Sequence, residues 1–442
     1  MAEETLVLFK NIRNPKYNKS LEGYKKAGGY QTLKKVFGMK PEEVVQTVKD
    51  SGVRGRGGAG FPTGLKWSFM PKGTGKPSYL IANADESEPG TCKDRELMLK
   101  DPHLFLEGMM IGCYAVGCHH GYIYIRGEFF PAIKSLNSAV EELYADGLLG
   151  PDPLGSGFHL DLTIHSGAGA YICGEESALL DSLEGKRGQP RVKPPFPAIS
   201  GFNGCPTSVN NVETLACMPF ILGDGGVEAF KSFGPENNSG THLVSLSGHV
   251  NKPGVYELGM DVNMKDIIYG IGGGIRNGKK LKGVIPGGSS SSVMTADEVD
   301  VLYNFDELAN IDTMLGSAAM MVFDEDTDVV QLLHRITRFY AHESCGQCTP
   351  CREGTHWSRN ILRDFLNGNG SDEKLRRLDR VGGNMLGTTL CALGDAAALP
   401  IQSFVKKFPD DFQKYYANKL SLIHISEPTR PLYISYAVFC LK

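Results

Sequence analysis

A chain of 442 residues, 41% hydrophobic and 22% charged, has the composition of a globular protein of about two to four domains. Its net charge of −4 argues against a general binder of nucleic acid or anionic membrane. The longest apolar stretch, residues 109–118, is too short to span a bilayer and is broken by Gly112 and Gly117. The first ten residues lack both a signal core and an Arg-rich transit pattern, and they carry Glu3 and Glu4. These features point to a cytoplasmic protein, whose eleven cysteines are metal ligands or buried thiols and not a disulfide framework.

Residues 1–40 are basic and Gly-interrupted and predict no clear element. Pro41 opens a helix with Val44, Val45 and Val48 on one face, ending near Gly52. Gly55-Arg56-Gly57-Gly58-Ala59-Gly60 follows, matching G-x-G-x-x-G. The dinucleotide fingerprint needs a strand before it, and here a helix precedes, so the ordinary Rossmann reading fails. The loop still lets backbone N–H groups approach a ligand, and Phe61, Lys66, Trp67 and Phe69 follow as the wall of a site; a plain flexible linker is the alternative.

From Ser78 the pattern alternates. Strands are predicted over 79–84, 122–126 and 160–165, and helices over 104–118, 131–146 and 175–184. This predicts a parallel, doubly wound α/β sheet, whose ligands bind at the carboxyl ends of strands. Two segments fall there: 83–88, with Asn83, Asp85, Glu86 and Glu88, and the glycine turn 167–176, with Tyr171, Cys173, Gly174, Glu175 and Glu176. Acids at the start of a helix repel phosphate but accept hydrogen bonds from sugar hydroxyls. A nucleotide fits, with phosphates on backbone amides or lysine and hydroxyls toward the acids. Helix-dipole stabilisation by Glu175 and Glu176, and a solvated turn at Asp85, Glu86 and Glu88, stay open. Residues 186–197 form a basic Pro-rich loop containing Lys193, and 209–214, with Asn210, Asn211 and Thr214, is predicted to begin a helix.

The composition shift at 234–240 marks a boundary. A strand over 242–250, a short helix over 265–270 and a strand at 284–285 give a small α+β module without a catalytic constellation, suited to packing or partner contact. Beyond Asp326 the pattern is helical, with further helices over 357–366, 373–381 and 396–404. The expected units are 1–77, 78–238, 239–325 and 326–420. Residues 421–442 continue no pattern and read as a non-native tail, which removes Cys440 from the chemistry.

Within the helical unit Cys345, Cys348 and Cys351 stand in C-x2-C-x2-C, with Cys391 forty residues on. Three cysteines and a remote fourth suit a [4Fe–4S] cluster; zinc prefers two separated C-x2-C pairs, and zinc or unliganded thiols remain the alternatives.

Together, GRGGAGFPTGLKWSF at 55–69, NADESEPG at 83–90, GAGAYICGEE at 167–176, KPPFP at 193–197 and ESCGQCTPCREG at 343–354 resemble the family of NADH-binding flavoprotein subunits (F subunits) of respiratory complex I, NADH-quinone oxidoreductase. The resemblance covers residues 1–420. It implies FMN held by Gly55, Gly57, Lys66, Asn83, Asp85, Tyr171, Gly174, Glu175, Asn210, Asn211 and Thr214. It implies NADH near Gly58, Phe61, Phe69, Glu88, Glu176 and Lys193, with the two phenylalanines stacked on adenine and Phe196 as a further contact. One [4Fe–4S] cluster on Cys345, Cys348, Cys351 and Cys391 follows, in a four-helix bundle, with the small module β-grasp-like. No side chain need act as acid or base, because hydride transfer to flavin and single-electron exit are cofactor chemistry; Glu88 and Glu176 orient. The implied partners are a thioredoxin-like [2Fe–2S] subunit and a large iron–sulfur subunit, at the cytoplasmic side of the bacterial inner membrane. The diaphorase subunit of an NAD-linked hydrogenase or formate dehydrogenase shares the motifs; the short stretch before the glycine loop and the lack of a second C-x2-C set disfavour it. A zinc-stapled nucleotide-binding module is the non-redox alternative.

Overall fold

The computed structural model describes residues 3–223 and 225–417. The tail at 421–442 and Cys440 lie outside the described residues. Leu80, Ile81, Ala82 and Ala84 are wholly buried, as a strand covered on both faces requires. They belong to β1 (Tyr79–Ala84), which with β2 (His120–Ile125), β3 (Asp161–Ser166) and β4 (Thr207–Asn211) forms a parallel sheet in the order β3-β2-β1-β4. Among the helices of this half are α1 (Pro41–Asp50), before the glycine loop, then α2 (Asp94–Lys100), α3 (Pro102–Val116), α4 (Phe130–Ala145), α5 (Glu176–Leu183) and α6 (Val212–Ala216). Strands and long helices alternate as the sequence pattern predicts. The strand order reverses between β1 and β4, which makes their carboxyl ends the crevice where such sheets bind ligands.

One expectation fails at that crevice. Residues 209–214 do not begin as helix: Thr207–Asn211 is strand β4, in register with β1 so that Asn83 lies beside Asn211. The Asn211 side chain then accepts from Thr214 N and caps α6. Tertiary pairing with β1 overrides a local pattern that reads as capping. The N-terminal stretch, for which the sequence predicts no clear element, contains two short helices at Leu21–Lys26 and Gln31–Val36.

The second sheet comprises β5 (Thr241–Gly248), β6 (Gly254–Gly259), β7 (Leu281–Ile285), β8 (Met294–Thr295) and β9 (Ala319–Asp324), in the order β6-β5-β9-β7-β8. Only β5 and β9 are parallel. Val244, Leu246, Val284 and Val322 fill its own core. The N-terminal segment is tied to it: the N–H groups of Val7, Leu8 and Phe9 donate to the buried Glu257 carboxylate.

Asp328 accepts from Gln331 N and starts α7 (Val329–Glu343), followed by α8 (Thr349–Leu366), α9 (Asp372–Met385), α10 (Leu393–Lys407) and α11 (Pro409–Ala417). Leu333, Leu362, Phe365, Leu378 and Phe404 form the bundle core. That core is continuous with Ile172, Cys173 and Leu179 of the first half, so the bundle packs directly on the glycine turn after β3.

Candidate functional site

A cavity of about 430 Å³ opens at the carboxyl ends of β1 and β4. The glycine loop contributes Gly57 and Gly58; the stretch from the end of β1 contributes Asn83, Asp85 and Glu88. Tyr171, Gly174 and Glu175 come from the turn after β3, and Asn211 from the end of β4. The residue types at the loop are dictated sterically. A Cβ on Gly57 would meet Asn211 Cβ at 3.1 Å, and Gly58 has φ +123°, open to glycine but strained for other residues.

The carboxylates divide by partner. Glu86 accepts from Asp94 N (2.8 Å) and Arg95 N (3.1 Å), so it caps α2. Glu88 is held by the Tyr171 hydroxyl (2.6 Å), Ser290 N (2.8 Å) and Ser289 Oγ (3.2 Å), and burial pushes its carboxyl above the ordinary range. Asp85 accepts from Ser87 Oγ at 2.8 Å through one oxygen, while its buried Oδ2 has no partner. Burial pushes Asp85 up to about 7. A buried acceptor aimed into a polar cavity calls for a donor, and a ligand hydroxyl meets that need.

Other expected contacts lie behind or beside this wall. Gly55 N donates to Phe61 O (2.8 Å) and closes the loop. Thr214 Oγ1 accepts from Arg56 N (2.8 Å), and Asn210 Oδ1 accepts from Trp67 Nε1 (3.1 Å); both brace the wall from behind. Lys66, Glu176 and Lys193 form one chain of charges: Lys66 Nζ lies 3.1 Å from Glu176, and Lys193 Nζ lies 2.8 Å from Glu176 and 3.1 Å from Glu175. Burial pushes Glu176 up, but the two lysines outweigh it and hold the carboxyl below its ordinary range. Glu175 also accepts from Ser177 N and Ala178 N, the N-cap role left open by its position. Phe61 and Phe69 are exposed, with ring centroids 6.3 Å apart, free to take a planar ligand. Phe196 is likewise exposed.

Several lining residues carry no signal that reveals them in sequence. Lys93 and Asp94 read as the polar start of a helix, yet they are 1% and 3% exposed and line the cavity with Arg56. Ser290 and Ser317 come from the second sheet's loops, and Asp395 from the bundle. The closest sequence hint is that Lys93 and Asp94 stand where the loop carrying Asp85 and Glu88 runs into α2.

Cys348 immediately precedes α8 without a capping side-chain hydrogen bond, and Cys351 is buried in its first turn behind Pro350. Cys345, Cys348 and Cys391 are half-buried on the same core as Cys351. Burial pushes the Cys351 thiol up to about 11, with Cys348 and Cys345 adding to it. Burial raises Cys391 to about 12, where Glu175, Cys351 and Cys345 contribute. The remote cysteine therefore returns to the triplet. Among the described residues no three His, Cys, Asp or Glu side chains close on a point that a single metal ion would occupy. Four thiols sharing one patch fit a cluster in which each thiolate holds a different iron.

The two sites adjoin. Tyr171 N donates to Glu343 at 3.1 Å, two residues before Cys345, and Arg187 donates to Cys345 O at 3.1 Å. Ala392 and Leu393, immediately after Cys391, line the cavity.

Three segments of the chain match known families. Residues 48–219 match the Nuo51 FMN-binding domain, 242–330 the SLBB domain, and 331–415 the NADH-ubiquinone oxidoreductase-F iron-sulfur binding region. The chain is 50% identical over 400 residues to the F subunit of NADH-quinone oxidoreductase of Streptomyces coelicolor, covering 90% of this chain and 89% of that one. It is 52% identical over 388 residues to the F subunit of the Mycobacterium tuberculosis enzyme, with 87% of each covered. Among solved structures, an NAD+-reducing [NiFe]-hydrogenase in the H2-reduced state aligns with TM-score 0.79 and 35% identity, covering 86% of this chain and 64% of that one.

Proposed function

The chain belongs to the family of NADH-quinone oxidoreductase F subunits, and from that premise we propose which of its residues serve each cofactor. Its FMN-binding and iron-sulfur segments make it an NADH dehydrogenase subunit of complex I, in which bound FMN would take electrons from NADH and a [4Fe–4S] cluster would carry them on toward quinone. FMN supplies, when bound, the conversion of an electron pair into single electrons.

Asn83, Asp85 and Asn211 accept or donate to FMN hydroxyls and amides at the switch point, while Gly57 and Gly174 admit it closely. Tyr171 and Glu175 complete that wall; Gly55, Asn210 and Thr214 shape it from behind, and Lys66 supplies positive charge. NADH enters over Gly58 and Glu88, with Phe61 and Phe69 against its adenine. Glu176, held by Lys66 and Lys193, faces the adenosine ribose and disfavours a 2′-phosphate. Cys345, Cys348, Cys351 and Cys391 hold the cluster. In this reading 78–238 is the FMN and NADH unit, 239–325 the β-grasp-like unit and 326–420 the cluster unit.

The observation that carries the reading is the shared wall: residues directly after Cys391 line the cavity into which Asp85 aims an unpartnered oxygen. Anaerobic reconstitution with FMN, iron and sulfide tests it. We expect flavin absorption that NADH bleaches, together with a cluster signal. A colourless, flavin-free protein holding stoichiometric zinc overturns the reading.

As a member of this family the chain works with other complex I subunits, and the finer expectation is a thioredoxin-like [2Fe–2S] subunit and a large iron–sulfur subunit at the cytoplasmic side of the inner membrane. No helix among the described residues is long and apolar enough to cross a membrane, which suits a peripheral place. A diaphorase of the hydrogenase type is the second reading, favoured only by the structural likeness. Purification with a nickel–iron subunit in place of membrane subunits decides for it.

A further inference from the structure

The cavity wall contains a charged assembly that neither the sequence motifs nor the expected contacts use. Lys93 is 1% exposed, and its Nζ lies 2.8 Å from Asp94 Oδ1 and 2.6 Å from Glu213 Oε2. Asp94 Oδ2 accepts from Asn211 Nδ2 at 2.6 Å, which fixes a cavity-lining amide. Glu213, fully buried, also accepts from Leu243 N at 2.9 Å and lies 3.0 Å from His242 Nδ1, both on the second sheet. Arg56 is fully buried too; its Nη2 donates to Ser239 O and Thr241 O, and no carboxylate pairs with it among the described residues.

These charges are arranged asymmetrically. Arg56, Lys93 and Asp94 line the cavity; Glu213 stands behind them and does not. Arg56 and Lys93 are thus the cations of a lining that also holds the carboxylates of Asp85, Glu86, Glu88, Asp94, Glu175 and Asp395, while Glu213, the second carboxylate on Lys93, is set back. Burial raises Asp85 and Glu86 to about 7, and Glu88 above its ordinary range, which weakens the negative charge at those three positions. Burial lowers the Lys93 ammonium, but Asp94, Glu213 and Glu86 outweigh that and keep it charged. Burial pushes Glu213 up, yet His242 and Lys93 pull it down to about 2, so the pair persists at neutral pH. In a water-poor wall such a field acts with little screening.

We propose that Lys93, anchored from behind by Glu213, is a positioning residue for the redox step: it fixes a local positive charge on an otherwise acidic cavity wall and so favours the flavin in its reduced, more negative form. The inference rests on the FMN reading of this cavity. Hydride acceptance brings two electrons and one proton, a net gain of one negative charge, which the fixed cation favours without itself giving or taking a proton. Through Asp94 the same lysine holds Asn211 in place, so a purely structural role has to be separated from an electrostatic one.

The test uses the full chain reconstituted with its cluster. FMN affinity is measured by fluorescence titration in the oxidised state and by anaerobic titration in the reduced state. Lys93→Met combined with Glu213→Gln removes the pair without leaving Glu213 as an unpaired carboxylate, and Asp94 keeps its hydrogen bond from Asn211. Its preference for reduced over oxidised flavin should fall about tenfold, equivalent to a two-electron potential lower by about 30 mV. Glu213→Gln alone removes only the anion behind the cation, and should raise that preference severalfold. Opposite signs in the two variants are the signature. If both redox states weaken equally in the first variant, or Glu213→Gln leaves the ratio unchanged or lowers it, the proposal fails. Should the double variant not retain flavin, the sign in Glu213→Gln decides. Failure of the unsubstituted protein to bind FMN at all would instead overturn the reading of the cavity.

Discussion

The cavity and the cysteine patch share a wall but are built on opposite plans. The cysteine patch takes three of its four thiols from seven consecutive positions, and the turn at Cys345–Cys351 leading into a helix places them almost unaided. The cavity draws on Gly57, Asp85, Gly174, Asn211, Ser290 and Asp395, which span most of the chain. Its wall holds buried Lys93, Asp94 and Arg56, with Glu213 buried behind them, while the patch is set in Leu, Phe and Ile. A site whose ligands supply strong bonds needs only donors and a dry surround. A site that grips an organic cofactor by weak contacts needs many groups held rigidly, and desolvated charges must be paired to persist there.

The difference is open to test from either side. Cys348→Ala should abolish the cluster signal while the protein still reduces ferricyanide with NADH. Loss of that activity with FMN still bound would mean that the two sites are not separable, with Tyr171–Glu343 as the first link to examine.

A smaller effect belongs to Asp85. Asp85→Asn removes a charged acceptor, a loss of about 1.5–3 kcal/mol, or roughly ten- to a hundredfold in FMN affinity. The pH dependence has a definite sign. Burial raises Asp85 in the folded protein to about 7, so its contribution to apoprotein stability is complete at low pH and is lost as pH rises through about 7. Hydroxyl donors prefer the ionised form, so FMN affinity should climb over the same interval. Isothermal titration between pH 6 and 8 should find that rise in the unsubstituted protein and a flat profile in Asp85→Asn, with the cluster untouched in both. A rise that survives the substitution assigns it to another group.

Glu176→Gln should act least. It leaves Lys66 and Lys193 with one fewer negative partner, so a 2′-phosphate is better tolerated and the NADPH:NADH ratio of kcat/KM rises about tenfold, ~1.4 kcal/mol. An unchanged ratio refutes the assignment of Glu176 to the ribose.

The alternation of strands and helices after Ser78, and the C-x2-C-x2-C run, are legible in the sequence because both are periodic and local. Val209–Asn211 reads as helix but folds as strand, because its strand character comes from pairing with β1, a contact more than a hundred residues away in sequence. Glu86 groups with Asp85 and Glu88 in sequence, yet it caps α2; neighbouring acids in one loop differ only in what their side chains meet. Lys93 carries no signal because a lysine before a helix ordinarily lies in water. By itself the sequence determined the order of elements, the spacing of the cysteine run and the loops that reach the crevice, since these follow from local spacing and turn chemistry. Only the tertiary structure decided which acids stay unpartnered, which cation is buried and where its counter-charge sits. Burial and pairing depend on segments brought together from across the chain, and they set the electrostatics of the site.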